Sequence, residues 1–336
     1  MKSFIKAVSY YIPEKKLTNE ELAVLFPEWS AEAIFEKTGI KWRGVTAEGE
    51  LSSDIAVKAA EKVFESYPED RSEIDFLIFC SQTPDYISPS TACLIQDRLG
   101  LKTSVGALDV SLACTGYVYS LSLAKGLIES GVAKNVLLLT GETLTKGIYP
   151  KDKSMRVLFG DAGTATLIGS RENIGIGNFV FGTDGSRADW MMIKAGGFRN
   201  PIKENFSYPE LEDEFGNIYS DRHAHMEGPN VLSFSLEVAS KTVRELLALT
   251  SNSLDEIDYF IFHQANLFLL QTLRKQIRIP EEKFCINLMY TGNTVSNSVP
   301  IALSDSISKG NVKAGDRVML VAFGVGLSWS ATIITI

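Results

Sequence analysis

Cys114 stands in the run Asp109-Val110-Ser111-Leu112-Ala113-Cys114-Thr115-Gly116, where a strand pattern from Ser104 to Val110 gives way to a turn of small residues. A helical pattern follows from Gly116 to about Ser130. A sulfur at the start of a helix meets unpaired backbone N–H groups and the positive end of the helix dipole, both of which lower a thiol's pKa. The thiolate is the nucleophilic form, so the setting suits covalent catalysis. A small buried hydrophobe is the competing reading of a free cysteine. His263, in Phe262-His263-Gln264-Ala265-Asn266, lies where an apolar strand ends and a helix from Leu267 to Ile277 begins. Open α/β sheets place their sites at such strand ends, although a structural histidine fits equally well. Asn293, in Tyr290-Thr291-Gly292-Asn293-Thr294, precedes a helical pattern from Val299 to Lys309. It reads as a cap, a turn residue or an amide donor.

Other candidates are weaker. His223 and His225 are two residues apart in a polar segment, with no third ligand in view, so they read as loop residues and no metal site is expected. Cys80, Cys93, Cys114 and Cys285 are widely separated and form no CxxC pair. A disulfide framework is therefore a poor reading, and a reducing, cytoplasmic location is expected. The net charge of −8 argues against general affinity for nucleic acid or an anionic membrane. Lys6 interrupts the first apolar run, and no run approaches the roughly 18 residues of a membrane span, so neither a signal peptide nor a span is expected.

The elements that must position these residues alternate strand and helix. The 336 residues, 45% hydrophobic and 22% charged, suffice for a large globular core. Glu73-Ile74-Asp75-Phe76-Leu77-Ile78-Phe79 is echoed by Glu256-Ile257-Asp258-Tyr259-Phe260-Ile261-Phe262, and Val136-Leu137-Leu138-Leu139 by Val318-Met319-Leu320-Val321. Residues 74 and 257 differ by 183, and residues 136 and 318 by 182. Two anchors at nearly one offset indicate an internal duplication. The sequence predicts an α/β fold of two similar halves, 1–172 and 173–336, each with a mainly parallel sheet covered by helices. It further predicts a polar, exposed loop from Glu142 to Ser154, a long insertion around 174–230, a helix from Val231 to Leu249 and a strand from Lys283 to Leu288. In the duplicated layout, Asn293 falls near the counterpart of the Cys114 turn.

Ala-Cys-Thr-Gly, His-Gln-Ala-Asn and Gly-Asn-Thr, in this order and at these separations, resemble the thiolase-fold condensing enzymes, and most closely β-ketoacyl-acyl-carrier-protein synthase III. Lys37-Thr38-Gly39-Ile40, Phe159-Gly160-Asp161-Ala162-Gly163, Met226-x-Gly228, Ser298-Val299-Pro300-Ile301 and Phe323-Gly324-Val325-Gly326 extend the resemblance over essentially the whole chain. It implies a layered αβαβα thiolase-like fold and a triad of Cys114, His263 and Asn293. It implies an oxyanion hole from the N–H groups of Cys114 and Val325. Cys114 would take an acyl group from a thioester of coenzyme A or acyl carrier protein. A malonyl thioester would lose CO2, its enolate oxygen held by His263 and Asn293, and the enolate carbon would attack the acyl-Cys114 ester. The substrates themselves carry the thioester chemistry, so no cofactor is implied. A homodimer is implied too, with the Pro84–Pro89 loop reaching the partner's acyl pocket. Ser88 stands where short-primer enzymes carry a bulky aromatic, so longer primers are expected.

The departures concern the donor's head group. Ala33 replaces the tryptophan that many members stack on adenine, and Lys37 and Lys153 replace arginines that grip the nucleotide. Phe268 replaces an arginine at the carrier-protein entrance, although Arg274, Lys275 and Arg278 remain near it in sequence. Asn266 is an expected contact for the pantetheine arm. Val325 at the middle of the oxyanion turn raises the question of backbone strain, since valine avoids positive φ. An acyltransferase passing the group to an alcohol or amine, and a partner subunit with a vestigial site, are the alternative functions.

Overall fold

The computed structural model describes every residue except 173, 174 and 205. The elements that frame the site are β1 (Lys2–Tyr11), α1 (Ala31–Thr38), α2 (Ser52–Ser66), β2 (Phe76–Cys80), α3 (Thr91–Arg98), β3 (Gly106–Val110), α4 (Gly116–Glu129) and β4 (Val136–Glu142). They continue with β5 (Ala162–Arg171), β6 (Ile176–Thr183), α5 (Gly228–Thr250), β7 (Tyr259–Phe262), α6 (Leu267–Ile277), α7 (Ser298–Ser308), β8 (Arg317–Gly324) and β9 (Ser328–Thr335).

Two sheets result, with spatial orders β1-β5-β4-β2-β3 and β7-β8-β9-β6. The duplication is visible in their registers. Val136 lies between Phe76 and Ile168, and Val318 between Tyr259 and Ile334, with the same strand directions in each case. Neither sheet is mainly parallel, contrary to the expectation. Only β2 with β3 and β4, and β7 with β8, run parallel, while the remaining neighbours are antiparallel. The short reversal from Gly324 to Ser328 shows why, since a connection of that length can join only antiparallel neighbours. The expected insertion around 174–230 also contains an edge strand, β6, which pairs with β9 as β1 pairs with β5.

The predicted strand from Lys283 to Leu288 does not form. A single bridge from Phe284 to Phe260 is all that pairs there. The Gln264 side chain ends the ladder: its oxygen accepts the Asn287 N–H at 2.7 Å and its nitrogen donates to the Phe262 carbonyl at 2.6 Å. The second sheet therefore lacks a counterpart of β3, and residues 285–297 are free to take another shape.

Helices α2 and α3 cover the outer face of the first sheet, α4 and α7 lie between the sheets, and α5 and α6 cover the outer face of the second. This is the αβαβα layering expected from the sequence. The middle layer is filled by Tyr117, Val118, Leu121 and Ala124 of α4 with Val299, Ala302 and Leu303 of α7, against apolar residues of both sheets. A helix packed on both sides must be apolar around most of its circumference, as α4 is. The central layer thus fixes the starts of α4 and α7 to each other, and the two sequence motifs immediately before them are brought together.

Candidate active site

Cys114 is buried between the end of β3 and the start of α4. The turn is tied down by a hydrogen bond of 2.8 Å between the Thr115 and Ser328 hydroxyls. Gly324, at the end of β8, closes over the sulfur: a Cβ there would come within 2.8 Å of Sγ, and its φ is +155°. No other residue fits so close an approach with that backbone. Gly326 carries the second positive φ, at +146°, whereas Val325 between them is not in the positive-φ region, so the strain expected of Val325 is absent. The N–H groups of Val325 and of Cys114 itself are directed at the sulfur.

The resting thiol is not acidic, contrary to the expectation. Burial pushes it up to about 12, with Glu142 adding to the rise, while the two N–H groups pull the other way. A helix terminus contributes on the order of 0.3–1 kcal/mol, less than one pKa unit, and desolvation outweighs it.

His263 follows β7, and its backbone N–H donates to the Val321 carbonyl at 2.8 Å. Burial pushes the imidazole down to about 4, so it is neutral at working pH. Its Nδ1 lies 2.7 Å from the Ser298 hydroxyl at the start of α7, and that hydroxyl accepts the Gln264 N–H at 3.4 Å. Nδ1 is the one acceptor that the Ser298 proton meets among the described residues, and with that proton donated to Nδ1 the ring proton is assigned to Nε2, so that the imidazole presents an N–H donor.

Asn293 sits in a turn anchored to the first half of the chain. Its N–H donates to the Leu158 carbonyl at 2.9 Å, and its carbonyl accepts from Gly160 N–H at 3.0 Å. Gly292, at φ +67°, passes so near Leu158 that a Cβ would lie 2.7 Å from the carbonyl oxygen. The Asn293 side-chain oxygen accepts the Val295 N–H at 3.0 Å, which leaves its NH2 as the free end. Val295 itself is buried at φ +56°, a region β-branched residues avoid. Beneath the turn, the fully buried Arg43 side chain packs its Cβ against Gly160 and its Cγ against Gly292, and its guanidinium donates to the Val157 carbonyl.

Cys114, His263 and Asn293 line one cavity together with Phe159, Met226, Leu232, Asn266, Phe323 and Gly324. The cavity is largely apolar, and beside the thiol its polar side chains are those of His263, Asn293, Asn266 and Ser235. The sequence reading missed Ser298, Arg43 and the aiming role of Val295. The expected exposed loop from Glu142 to Ser154 is also corrected, since Glu142, Thr143, Leu144, Thr145 and Asp152 are all buried. Burial pushes Glu142 up to about 8.

The cavity opens to a mouth lined by Trp29, Lys37, Ser154, Leu158, Asn266 and Phe268. Asn266 caps α6, its side chain accepting the Leu269 N–H at 2.8 Å. Trp29 lies four residues before Ala33, just ahead of α1. The Lys37 ammonium lies 4.2 Å from the Trp29 ring centre and that of Lys153 5.7 Å, with Lys153 also paired to Glu28 at 3.2 Å. Ser88 is exposed in the Pro84–Pro89 loop and is not among the residues lining the cavity of its own chain. His225 lies in a short strand, Ala224–Met226, stacked on Tyr219, and His223 meets Tyr149 edge-on. Among the described residues no group of three or more His, Cys, Asp and Glu could hold a metal ion, and no helix is long and apolar enough to cross a membrane.

The five-layer fold, with a cysteine at a helix start facing a histidine and an asparagine donor, defines a thiolase-fold condensing enzyme. The profile of 3-Oxoacyl-[acyl-carrier-protein (ACP)] synthase III matches residues 108–185, and that of its C-terminal part matches residues 247–336. The chain is 38% identical over 325 residues to a beta-ketoacyl-[acyl-carrier-protein] synthase III of Clostridium perfringens, covering 96% of each. A crystal structure of a 3-oxoacyl-(acyl-carrier-protein) synthase III matches at TM-score 0.98 with 45% identity over 100% of both chains. That of a 3-oxoacyl-(acyl-carrier protein) synthase from Burkholderia xenovorans matches at TM-score 0.90 with 31% identity, over 100% of this chain and 94% of the other. The chain belongs to the β-ketoacyl-acyl-carrier-protein synthase III family, and it is an acyltransferase of the decarboxylating, condensing type.

Proposed function

We propose that Cys114, His263 and Asn293 divide two half-reactions between the halves 1–172 and 173–336. In the first, the Cys114 sulfur bonds to the carbonyl carbon of an acyl thioester, the donor C–S bond breaks, and the Cys114 proton leaves with the departing thiol. The N–H groups of Cys114 and Val325 hold the oxyanion. In the second, a malonyl thioester loses CO2, and the electron pair of the broken C–C bond moves to the thioester oxygen. The Nε2–H of His263 and the NH2 of Asn293 hold that enolate oxygen. The enolate carbon then attacks the acyl-Cys114 carbonyl, releasing the β-ketoacyl product and the thiolate.

One observation carries this reading: the acceptor ends of both side chains are already occupied, Nδ1 by Ser298 and the amide oxygen by Val295, so both present donors to the cavity. Neutral donors favour decarboxylation over plain transfer to an alcohol or amine, which needs a base. The Trp29–Lys37–Lys153 group at the mouth supports a donor carried on coenzyme A, with malonyl on acyl carrier protein. Exposed Tyr86 and Ile87 beside Ser88, and the half-buried edge strand β3, support a homodimer in which this loop meets the partner's acyl pocket. The expected location is cytoplasmic.

His263→Ala and Asn293→Ala test the division of labour. Each is expected to keep acylation of Cys114 by a labelled acyl thioester and to lose CO2 release from malonyl thioester by about a hundredfold or more, the usual cost of one oxyanion donor. Undiminished CO2 release in both variants would refute it.

A further inference from the structure

The reaction as drawn does not use the fully buried carboxyl of Glu142. Glu142 ends β4, and its carboxyl meets two hydroxyls and a backbone N–H. The Ser296 hydroxyl donates to Oε1 at 2.8 Å, the Gln82 N–H reaches both oxygens at 3.3 and 3.4 Å, and the Thr83 hydroxyl lies 3.3 Å from Oε2. The ionisable groups that face it are Cys114, Cys80 and Asp161, and none of them is a cation.

Its grip falls on the turn that aims Asn293. Ser296 directly follows Val295, the strained residue whose N–H orients the Asn293 amide. Two residues back along β4, Thr140 donates to the Asn297 side-chain oxygen at 2.5 Å. Alternate residues of a strand share a face, so β4 holds two consecutive residues of the turn from one side. A strained conformation persists only where its surroundings over-determine it, and these are the contacts that do so.

The charge of this clamp matters as well as its shape. A carboxylate here would sit near the Cys114 sulfur and behind an amide that must stabilise an enolate, opposing both anions. Burial holds the group protonated at neutral pH. The acid proton has partners, because Thr83 Oγ1 also lies 2.7 Å from the Ser52 hydroxyl, so the hydroxyl cluster can accept it. We propose that Glu142 is a positioning residue for decarboxylation: as a neutral acid it clamps Ser296 and the strained turn that aims Asn293, and when ionised it opposes the enolate.

The proposal rests on the reading of Asn293 as an enolate donor, and its test separates the two. CO2 release from malonyl thioester is measured in single turnovers of enzyme pre-acylated on Cys114, from pH 6 to 10, for the wild type, Glu142→Gln, Glu142→Leu and Asn293→Ala. Extent of Cys114 acylation in each preparation reports folding. The wild type is expected to lose about tenfold between pH 7 and 9, as a group titrating near 8 requires. Glu142→Gln, which keeps the shape without the charge, should stay within about threefold of the wild type at pH 7 and remain level to pH 9. Glu142→Leu should fall by about tenfold or more at pH 7 while acylating normally. An alkaline loss that persists in Glu142→Gln, or a Glu142→Leu enzyme that decarboxylates at the wild-type rate, overturns the proposal while a slow Asn293→Ala leaves the donor reading standing. Normal CO2 release from Asn293→Ala overturns both.

Discussion

The two halves solve one geometric problem differently. In the first, β3 pairs along its whole length with β2 and delivers Cys114 to the start of α4. In the second, the equivalent segment pairs through Phe284 alone, and the chain reaches α7 by an irregular path through Gly292, Asn293 and Val295. A nucleophile needs access, an oxyanion hole and a helix start, all of which a regular strand–turn–helix supplies. A side-chain amide that must show its NH2 and hide its oxygen needs more. It is aimed by hydrogen bonds that cross from the first half: Leu158 and Gly160 to Asn293, Glu142 to Ser296, and Thr140 to Asn297. The duplicated scaffold is common to both halves, and where the second lacks a counterpart of β3 the chain forms a turn that the first half holds in place.

The sharpest break in this comparison is Cys114→Ala. Acyl-enzyme formation should vanish, because no other thiol lines the cavity. Intact-protein mass spectrometry after incubation with acyl thioester reads the result, and an acyl adduct of undiminished mass gain would mean the nucleophile lies elsewhere. Gly292→Ala should act only on the second half-reaction. A residue other than glycine at positive φ costs roughly 1–2 kcal/mol, and here the new Cβ also meets the Leu158 oxygen. A loss of about thirtyfold in CO2 release, with acylation within about threefold, is expected. Equal losses in both steps would mean that the two turns are not separable.

Ser298→Ala probes the donor side more gently. Without the hydroxyl proton at Nδ1, the imidazole proton is free to occupy either nitrogen. Decarboxylation should fall by about tenfold, and the nitrogen NMR signals of the ring should shift from a pure Nε2–H pattern to a mixture. Because burial pushes His263 down to about 4, its ring should not titrate between pH 6 and 8 in either protein. A midpoint near 6.5 would contradict the buried, neutral ring.

Much of this was legible in the residues. The repeated Glu-Ile-Asp strands announced the duplication, and their registers agree. Cys114, His263 and Asn293 were singled out because each stands at a strand or turn end before a helix, but that local signal left structural readings open; the family resemblance joined them, and the structure brings all three to one cavity. What was not legible arose from contacts between distant segments. Ser298 reads as an ordinary helix-start serine until Nδ1 of His263 is seen beside it. Glu142 looks like the start of a polar loop, since burial of a carboxyl leaves no mark in the sequence when its partners are hydroxyls from residues 83 and 296. The thiol's upward shift was misjudged because helix-end position can be read locally and desolvation cannot. Val325 was suspected of a positive φ that its glycine neighbours adopt without strain.

The smallest expected effect lies at the mouth, where the comparison turns from the two halves to the substrate they share. The sequence suggested that Ala33, Lys37 and Lys153 had dismantled the head-group site. In the structure the Trp29 ring lies beside both ammoniums. An aromatic face with cations beside it can stack a base and meet a phosphate, and such stacking is worth about 1–3 kcal/mol per base. Trp29→Ala should therefore raise the KM for an acyl-coenzyme A donor by about tenfold, at about 1.4 kcal/mol per decade, with little change in kcat. The same acyl group on pantetheine alone, which lacks the nucleotide, should react equally with both proteins. That control distinguishes a head-group contact from a disturbed mouth, because a general distortion would slow both donors together. An unchanged KM for the coenzyme A donor would show that the nucleotide rests elsewhere, and would leave Trp29 as packing against Lys37 and Lys153.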